Sequence, residues 1–347
     1  MAAGLHWFRE GVAGRIVLDR QEVLNALDLA MVRACAEGLD AFECDPAIRA
    51  VTIEGRGERA FCAGGDVLAF YDARGTDSTV GADFFREEYT LNRRIKRYPK
   101  PVVAFMDGIT MGGGVGLSVH ASHRVVTERT MFAMPETGIG LFPDVGTGHV
   151  LSRLPDGFGA WIALTGSRLR AGDCLDIGIG THGLDAASSV EAAVGSISAM
   201  AGDDVDAALA PHLGEPAPGS VLEAGDAITR CFAHRDLAGV FASLDAERSD
   251  WAEGMRAELG RKSPTSLRIT LRQLELAATA SFEDELRTEY RMSQACIAGH
   301  DFMEGIRAAL VDRDRQPRWC PDRIEDVTED LVARHFVEPP VGDLRFD

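Results

Sequence analysis

The stretch PVVAFMDGITMGGGVG, residues 101–116, joins a short apolar run to a run of glycines. The apolar part, PVVAFM, predicts a buried strand over residues 101–106. The glycines at 112–114 leave the backbone bare where a helix is expected to begin. Free N–H groups and the helix dipole at such a position favour negative charge. The stretch therefore predicts either a site for a developing anion or close packing of another element against the helix.

Short apolar runs alternate with helical patterns on both sides of this stretch. Further strands are expected at residues 14–18, 50–54, 124–126 and 131–133. Asp28 is expected to cap a helix whose apolar residues recur every three or four positions, from Leu29 to Phe42. This order predicts an α/β core with parallel strands over residues 1–210. After a loop-like segment at 213–220, a helical extension over residues 220–335 is expected to pack on the core.

A second glycine-rich turn, FCAGGD at residues 61–66, follows another expected strand. Its backbone can supply a second N–H donor, and an oxyanion hole requires two such donors. The spacing excludes other uses of the glycines. A dinucleotide fingerprint fails because Leu117 stands where its last glycine belongs. A nucleophile elbow fails because Ser118 and His120, two positions apart on a helix, point in different directions.

Two carboxylates follow in the apolar stretch MPETGIGLFPD, residues 134–144. Glu136 is either a solvated turn residue or a desolvated base or nucleophile with a raised pKa. Asp144 either caps a helix that begins near Val145 or works together with Glu136. Two carboxylates beside a glycine-lined site can divide the acid and base roles of acyl transfer.

Composition and charge narrow the class of protein. The chain has 347 residues and a formal net charge of -18, which disfavours nucleic acid and anionic membranes as partners but not a small anionic ligand. Its seven cysteines include no C-x-x-C pair, so neither a zinc site nor a disulfide framework is indicated. The cysteine pattern and the absence of a signal-like N-terminus predict a cytoplasmic location. The scarcity of lysine favours a bacterial source.

The two glycine-rich turns resemble the paired oxyanion segments of the crotonase (enoyl-CoA hydratase/isomerase) superfamily. The resemblance implies the ClpP/crotonase fold, a spiral core of repeated ββα units, here followed by a helical extension. It also implies an acyl-CoA substrate whose thioester oxygen is held by the N–H groups of Gly65 and Gly113. Ala63, Gly64 and Gly112 are implied to border the substrate. The resemblance also implies that the reaction uses no metal or redox cofactor, coenzyme A being part of the substrate. It is compatible with a homo-oligomer.

Longer matches resemble one subgroup of this superfamily, the 3-hydroxyisobutyryl-CoA hydrolases of valine catabolism. The matching segments are GITMGGGVGLSVH (108–120), MPET (134–137), IGLFPDVG (139–146), FFREEYTLN (84–92), and SPTSL, ELRTEYRMS, HDFMEGIRAALVDRD and PRWCP between 263 and 321. Gly116 replaces one glutamate of the hydratases, and Asp144 stands where hydratases usually have glycine. The resemblance therefore implies hydrolysis of a short 3-hydroxyacyl-CoA thioester by Glu136 and Asp144, with Glu88 near the substrate's distal end.

Two other functions remain open from the sequence: an enoyl-CoA hydratase or isomerase on the same fold, and a catalytically silent acyl-CoA binder. Two chemical routes to hydrolysis are also open. Glu136 either attacks the thioester to form a mixed anhydride or activates water as a general base.

Overall fold

The computed structural model describes residues 4–76 and 79–346. Its strands are β1 (Leu5–Glu10), β2 (Ala13–Leu18), β3 (Ala50–Gly55), β4 (Ala60–Cys62), β5 (Val102–Met106), β6 (Ile109–Met111), β7 (His123–Val126), β8 (Met131–Ala133) and β9 (His182–Gly183). Its α-helices are α1 (Leu29–Cys44), α2 (Leu68–Ala73), α3 (Val80–Lys96), α4 (Gly113–Ser118), α5 (Thr147–Leu151), α6 (Phe158–Thr165), α7 (Ala171–Asp176), α8 (Val190–Ser198), α9 (Val205–Leu209), α10 (Gly225–Phe232), α11 (Leu237–Glu247), α12 (Asp250–Leu259), α13 (Pro264–Ala277), α14 (Phe282–Ala298), α15 (His300–Ile306) and α16 (Glu329–Ala333). Across the described ranges, none of the helices has both the length and the hydropathy needed to cross a bilayer.

The first sheet orders its strands β1-β2-β3-β5-β7-β9. β1 and β2 pair antiparallel, and all later neighbours in the order pair in parallel. Every residue of β2 and β5 is buried, as expected for strands covered on both faces of a sheet. A core cluster joins Val103, Phe105 and Val125 of this sheet with Val194 and Ile197 of α8.

The second sheet orders its strands β4-β6-β8, with parallel pairing. Along the chain these strands alternate with strands of the first sheet, as the pairs β3 and β4, β5 and β6, and β7 and β8. Helical structure follows each pair, so a ββα unit recurs. The predicted α/β class with repeated ββα units is therefore confirmed. Each strand expected from the sequence is found, with its ends displaced by one residue at most.

Local sequence signals fix where two helices begin. The Asp28 carboxylate accepts a hydrogen bond from Met31 N at 2.8 Å and caps α1, as predicted. Gly112 is the N-cap residue of α4 and has φ +50°, a conformation that glycine adopts at little cost. The prediction that the glycine run opens a helix is confirmed.

The chain packs into two compact units, each made from three separate segments. The first contains both sheets and comprises the described residues up to Gly65, Thr90–Ala133 and Arg168–Leu222. The second comprises Asp66–Tyr89, Met134–Ser167 and the described residues from Glu223 onward. Helices α10 to α16 follow one another in the second unit, so the chain after residue 220 is helical, as expected. The division into a 1–210 core and a 220–335 extension stays a prediction, because a compact unit need not be a folding domain.

Candidate active site

The two glycine-rich turns lie against each other in the first unit. β4 leads into residues 63–65 and β6 leads into Gly112, and these two strands pair in parallel. A β-carbon placed on Gly64 would lie 3.5 Å from Met111 O and 3.9 Å from Gly113 N. The turn residues picked out by sequence in this unit, Ala63 to Gly65 and Gly112 to Gly113, are thus brought together.

The backbone donors of these turns are only partly used. Ala63 N donates to Leu24 O at 3.0 Å, and Gly64 O accepts from Leu27 N at 2.8 Å, which fixes the first turn. Within the described part of the chain, the N–H groups of Gly65 and Gly113 donate to no other residue. Each turn therefore retains a backbone donor that a ligand oxygen can accept from.

The approach of α4 to β4 requires glycine at position 114. A β-carbon there would lie 2.2 Å from Cys62 O, and a backbone atom cannot move aside cheaply. We expect Gly114→Ala to destabilise the protein by about 1–3 kcal/mol or more, measured as a lower thermal unfolding midpoint. Gly195→Ala is the matched control, since a β-carbon there meets nothing within 4 Å and α8 gains up to about 1 kcal/mol of helix propensity. Equal midpoints for the two variants would contradict this close approach.

Three carboxyl groups that the sequence analysis singled out lie buried in the second unit. Glu88 on α3 is 2% exposed, Asp144 is 4% exposed, and Glu136, in the 3-10 turn Glu136–Ile139, is 5% exposed. The Glu136 turn is held by hydrogen bonds from Thr137 Oγ1 to Leu164 O and from Ser263 N to Thr137 O, each 3.0 Å long. The solvated alternative for Glu136 is therefore wrong.

Asp144 does not act as the helix cap that its position allowed. α5 begins at Thr147, and its N-cap residue is Gly146. The Asp144 carboxylate instead accepts a hydrogen bond from Tyr89 Oη, which lies 2.8 Å from Oδ2. Burial raises the pKa of Tyr89 well above its usual range, so the phenol stays protonated and donates.

Burial raises the pKa of every carboxyl in this cluster. It raises the pKa of Asp144 to about 7, although hydrogen bonds from Tyr89 and the backbone oppose the change. Burial and then the charge of Asp144 hold the pKa of Glu136 well above its usual range, while Lys262 opposes them. Burial, Asp144 and Glu136 raise the pKa of Glu88 in the same direction. Such a cluster can exchange protons near neutral pH.

Two oxygens of the cluster have no protein partner. Among the described residues, nothing donates a hydrogen bond to Glu136 Oε2 or to Glu88 Oε1, although both atoms are buried. Leaving a buried polar atom unsatisfied costs about 1–3 kcal/mol. Unsatisfied groups that persist in a folded protein are typical of sites that act on a ligand.

Sequence reasoning missed Tyr89 and a second acidic pair, Glu285 and Glu289. Tyr89 directly follows Glu88 in the segment FFREEYTLN, and only Glu88 was predicted to have a role there. Glu285 and Glu289 are four residues apart on α14, and both are fully buried. The available signal was their helical spacing on a face shared with Phe282 and Leu286.

Comparisons with known proteins agree with this fold. A family model described as enoyl-CoA hydratase/isomerase matches residues 13–336. The mitochondrial 3-hydroxyisobutyryl-CoA hydrolase of Rattus norvegicus is 43% identical over 97% of this chain and 90% of its own length. The Homo sapiens protein of the same name is 41% identical over 97% of this chain and 89% of its own length.

Two solved structures are similar over the whole chain. A carnitinyl-CoA dehydratase from Mycobacterium thermoresistibile has a TM-score of 0.92 at 39% identity, covering 98% of both chains. An enoyl-CoA hydratase from Rhodobacter sphaeroides 2.4.1 has a TM-score of 0.90 at 38% identity, covering 99% of this chain and 100% of its own. The chain belongs to the crotonase family of enzymes, the enoyl-CoA hydratase/isomerase family. Its full-length relatives include both hydrolases and hydratases of acyl-CoA.

Proposed function

We propose that this enzyme hydrolyses a short 3-hydroxyacyl-CoA thioester, and that its substrate is 3-hydroxyisobutyryl-CoA, an intermediate of valine catabolism. The relatives named as 3-hydroxyisobutyryl-CoA hydrolases, which are 41–43% identical over 97% of the chain, support this substrate. The observation that carries the choice of reaction is the buried cluster of Glu136 and Asp144, with Tyr89 bonded to Asp144.

Asp144 favours hydrolysis over hydration of a double bond. By resemblance, hydratases place one of their two glutamates where this chain has Gly116, and glycine can neither donate nor accept the required proton. The second acid must then come from another position. Asp144 supplies it, and its pKa of about 7 suits proton transfer at neutral pH.

The proposed chemistry uses the residues in distinct roles. The N–H groups of Gly65 and Gly113 bind the thioester oxygen, each contributing about 3–4 kcal/mol as negative charge develops there. Ala63, Gly64 and Gly112 border the acyl-CoA, and Glu88 contacts the distal end of the acyl group. Asp144 orients Glu136, the water or the substrate hydroxyl.

Glu136 acts by one of two balanced routes. As a general base it takes a proton from water, the water oxygen bonds to the carbonyl carbon, and the C–S bond breaks to release the CoA thiolate. As a nucleophile its oxygen bonds to that carbon and expels the thiolate, and water then opens the anhydride to the free acid. In both routes the thiolate ends as the CoA thiol. Neither route calls for a metal or redox cofactor, so we propose that EDTA leaves the activity unchanged.

A thiol-release assay with DTNB across short acyl-CoA substrates tests the function. We expect release from 3-hydroxyisobutyryl-CoA with a higher kcat/KM than from unsubstituted short acyl-CoAs, and none from crotonyl-CoA. Loss of the 2-enoyl absorbance of crotonyl-CoA without thiol release would favour a hydratase. Binding of CoA with no turnover of any substrate would favour a silent binder.

A further inference from the structure

The turn that carries Asp144 has an unfavourable backbone. Val145 has φ +56° and Gly146 has φ +78°, two consecutive residues in the left-handed region. A β-branched residue such as valine is seldom found there, and such a conformation costs roughly 1–3 kcal/mol. Other contacts must therefore hold this turn, and they also determine where the Asp144 carboxylate points.

Those contacts come from Glu289 on α14. Its Oε2 accepts a hydrogen bond from Gly146 N at 2.6 Å, and its Oε1 accepts one from Gly148 N at 3.3 Å. Gln273 on α13 completes the support, because its Nε2 lies 2.9 Å from Pro143 O and 3.1 Å from Glu289 Oε1. The backbone on both sides of Asp144 is thus tied to one buried carboxylate.

Glu289 has a buried acidic neighbour one helical turn away. Glu285 shares the same amide donor, with Gln273 Nε2 lying 3.1 Å from its Oε1. Both glutamates are fully buried, and burial raises the pKa of each. Two adjacent buried carboxyls cannot both be ionised at low cost, so the pair retains a proton. Asp144 and Arg153 are the other charged groups that act on this pair.

The two glutamates differ in their hydrogen bonds. In the described chain, three N–H donors contact Glu289, while one contacts Glu285. Glu285 Oε2 is buried and has no partner among those residues. The two glycine bonds that hold the turn therefore depend on Glu289 and not on Glu285.

We propose that Glu289 is a positioning residue, whose carboxyl group fixes the turn at residues 143–148 and thereby holds Asp144 on Tyr89. This inference rests on the proposed function, in which Asp144 takes part in thioester hydrolysis. It assigns a role to an acid that the reaction itself does not use.

The test compares Glu289→Gln with Glu285→Gln. The amide of Glu289→Gln turns an NH2 group toward N–H donors, so the turn loses a bond and Asp144 shifts. We expect kcat to fall about 10- to 100-fold, with KM changed less than about threefold because uniform substrate binding is intact. In Glu285→Gln the two glycine bonds of the turn still go to Glu289, so kcat should stay within about threefold. Equal losses in the two variants would overturn the proposal.

A double-mutant cycle separates positioning from general damage. If Glu289 acts through Asp144, adding Glu289→Gln to Asp144→Asn should lower kcat no further. A further drop equal to that in the wild-type background would refute the proposal. If Glu289→Gln does not fold, Glu289→Asp replaces it, since this variant keeps the carboxyl group but is one methylene too short to keep both glycine bonds. Unchanged kcat in Glu289→Asp would count against the proposal equally.

Failure of the positioning role of Glu289 can be distinguished from failure of the proposed function. If the wild-type enzyme binds CoA but releases no thiol, the proposed hydrolysis is refuted. The positioning role of Glu289 is then tested by thermal unfolding instead of by kcat. The unfolding midpoint of each protein in the double-mutant cycle is then measured at pH 8. Asp144→Asn should raise the midpoint in the wild-type background. It should not raise the midpoint in the Glu289→Gln background, because Asp144 is no longer held in place there. The same rise in both backgrounds would refute the positioning role of Glu289.

Discussion

Replacing Glu136 by Gln is expected to lower kcat for thiol release by about 10³-fold or more, the range for losing a general base or nucleophile. Gln cannot take a proton from water and does not attack a thioester. The side chain keeps its size, and burial already favours the uncharged form of this carboxyl, so an uncharged amide fits the same place. The folded state and KM should therefore change little, and the loss should appear in kcat under single-turnover conditions.

Glu54→Gln is the matched control for Glu136→Gln. Glu54 is also a buried glutamate with a pKa that burial raises, but it sits in β3 and binds Arg15 through two hydrogen bonds of 2.9 and 2.8 Å. We expect Glu54→Gln to lower the unfolding midpoint and leave kcat nearly unchanged. Glu136→Gln that retains more than a tenth of wild-type kcat would exclude both routes through Glu136.

The features that the sequence predicted well are those encoded within a few residues. The Asp28 cap depends on a single hydrogen bond to Met31, three positions along the chain. The start of α4 follows from the glycines at 112–114, and the buried strands follow from uninterrupted apolar runs such as that of β5. The burial of Glu136 and Asp144 follows for a similar reason, because both stand in the short apolar segment 134–144. Their catalytic roles stay a prediction.

The features that the sequence could not predict depend on contacts between distant segments. Tyr89 and Asp144 are 55 positions apart, and Gly146 and Glu289 are 143 positions apart. No periodicity or local spacing links such residues. Glu88 shows the same limit, because its segment looks like a charged, solvated helix until the fold buries it to 2% exposure. The interleaving of the two units along the chain is likewise a tertiary property.

Asp144→Asn is expected to lower kcat by about 10²- to 10⁴-fold, the range for losing an acid–base group. The variant should also change the pH dependence of what activity remains. The charge of Asp144 raises the pKa of Glu136, so removing it lets Glu136 ionise at lower pH. If ionised Glu136 begins the reaction, the acidic limb of the kcat profile should move to lower pH. A limb that does not move would show that it reports a different group.

The same substitution should make the protein more stable, and the pH dependence has a definite sign. The folded-state pKa of Asp144 is about 7 and its ordinary value is 3.8, so the folded state binds the proton more tightly than the unfolded state. The contribution of Asp144 to wild-type stability therefore falls as pH rises from about 4 to 7, by up to about 4 kcal/mol at 1.36 kcal/mol per pKa unit. Asn carries no charge, so Asp144→Asn avoids this loss. Its advantage in unfolding free energy should grow across that window and stay constant above it.

For Asp173→Asn, a substitution at another buried aspartate, we expect the opposite change in stability. Asp173 accepts backbone hydrogen bonds from Arg170, Ser220 and Val221, at 2.6 to 2.8 Å, and an amide cannot accept all three through its single oxygen. Asp173→Asn should therefore be less stable than wild type at pH 8, while Asp144→Asn is more stable and far less active. An aspartate that weakens the fold when charged, and whose loss removes activity, is retained for the reaction that it serves. Loss of stability at pH 8 in Asp144→Asn would instead make Asp144 a structural residue.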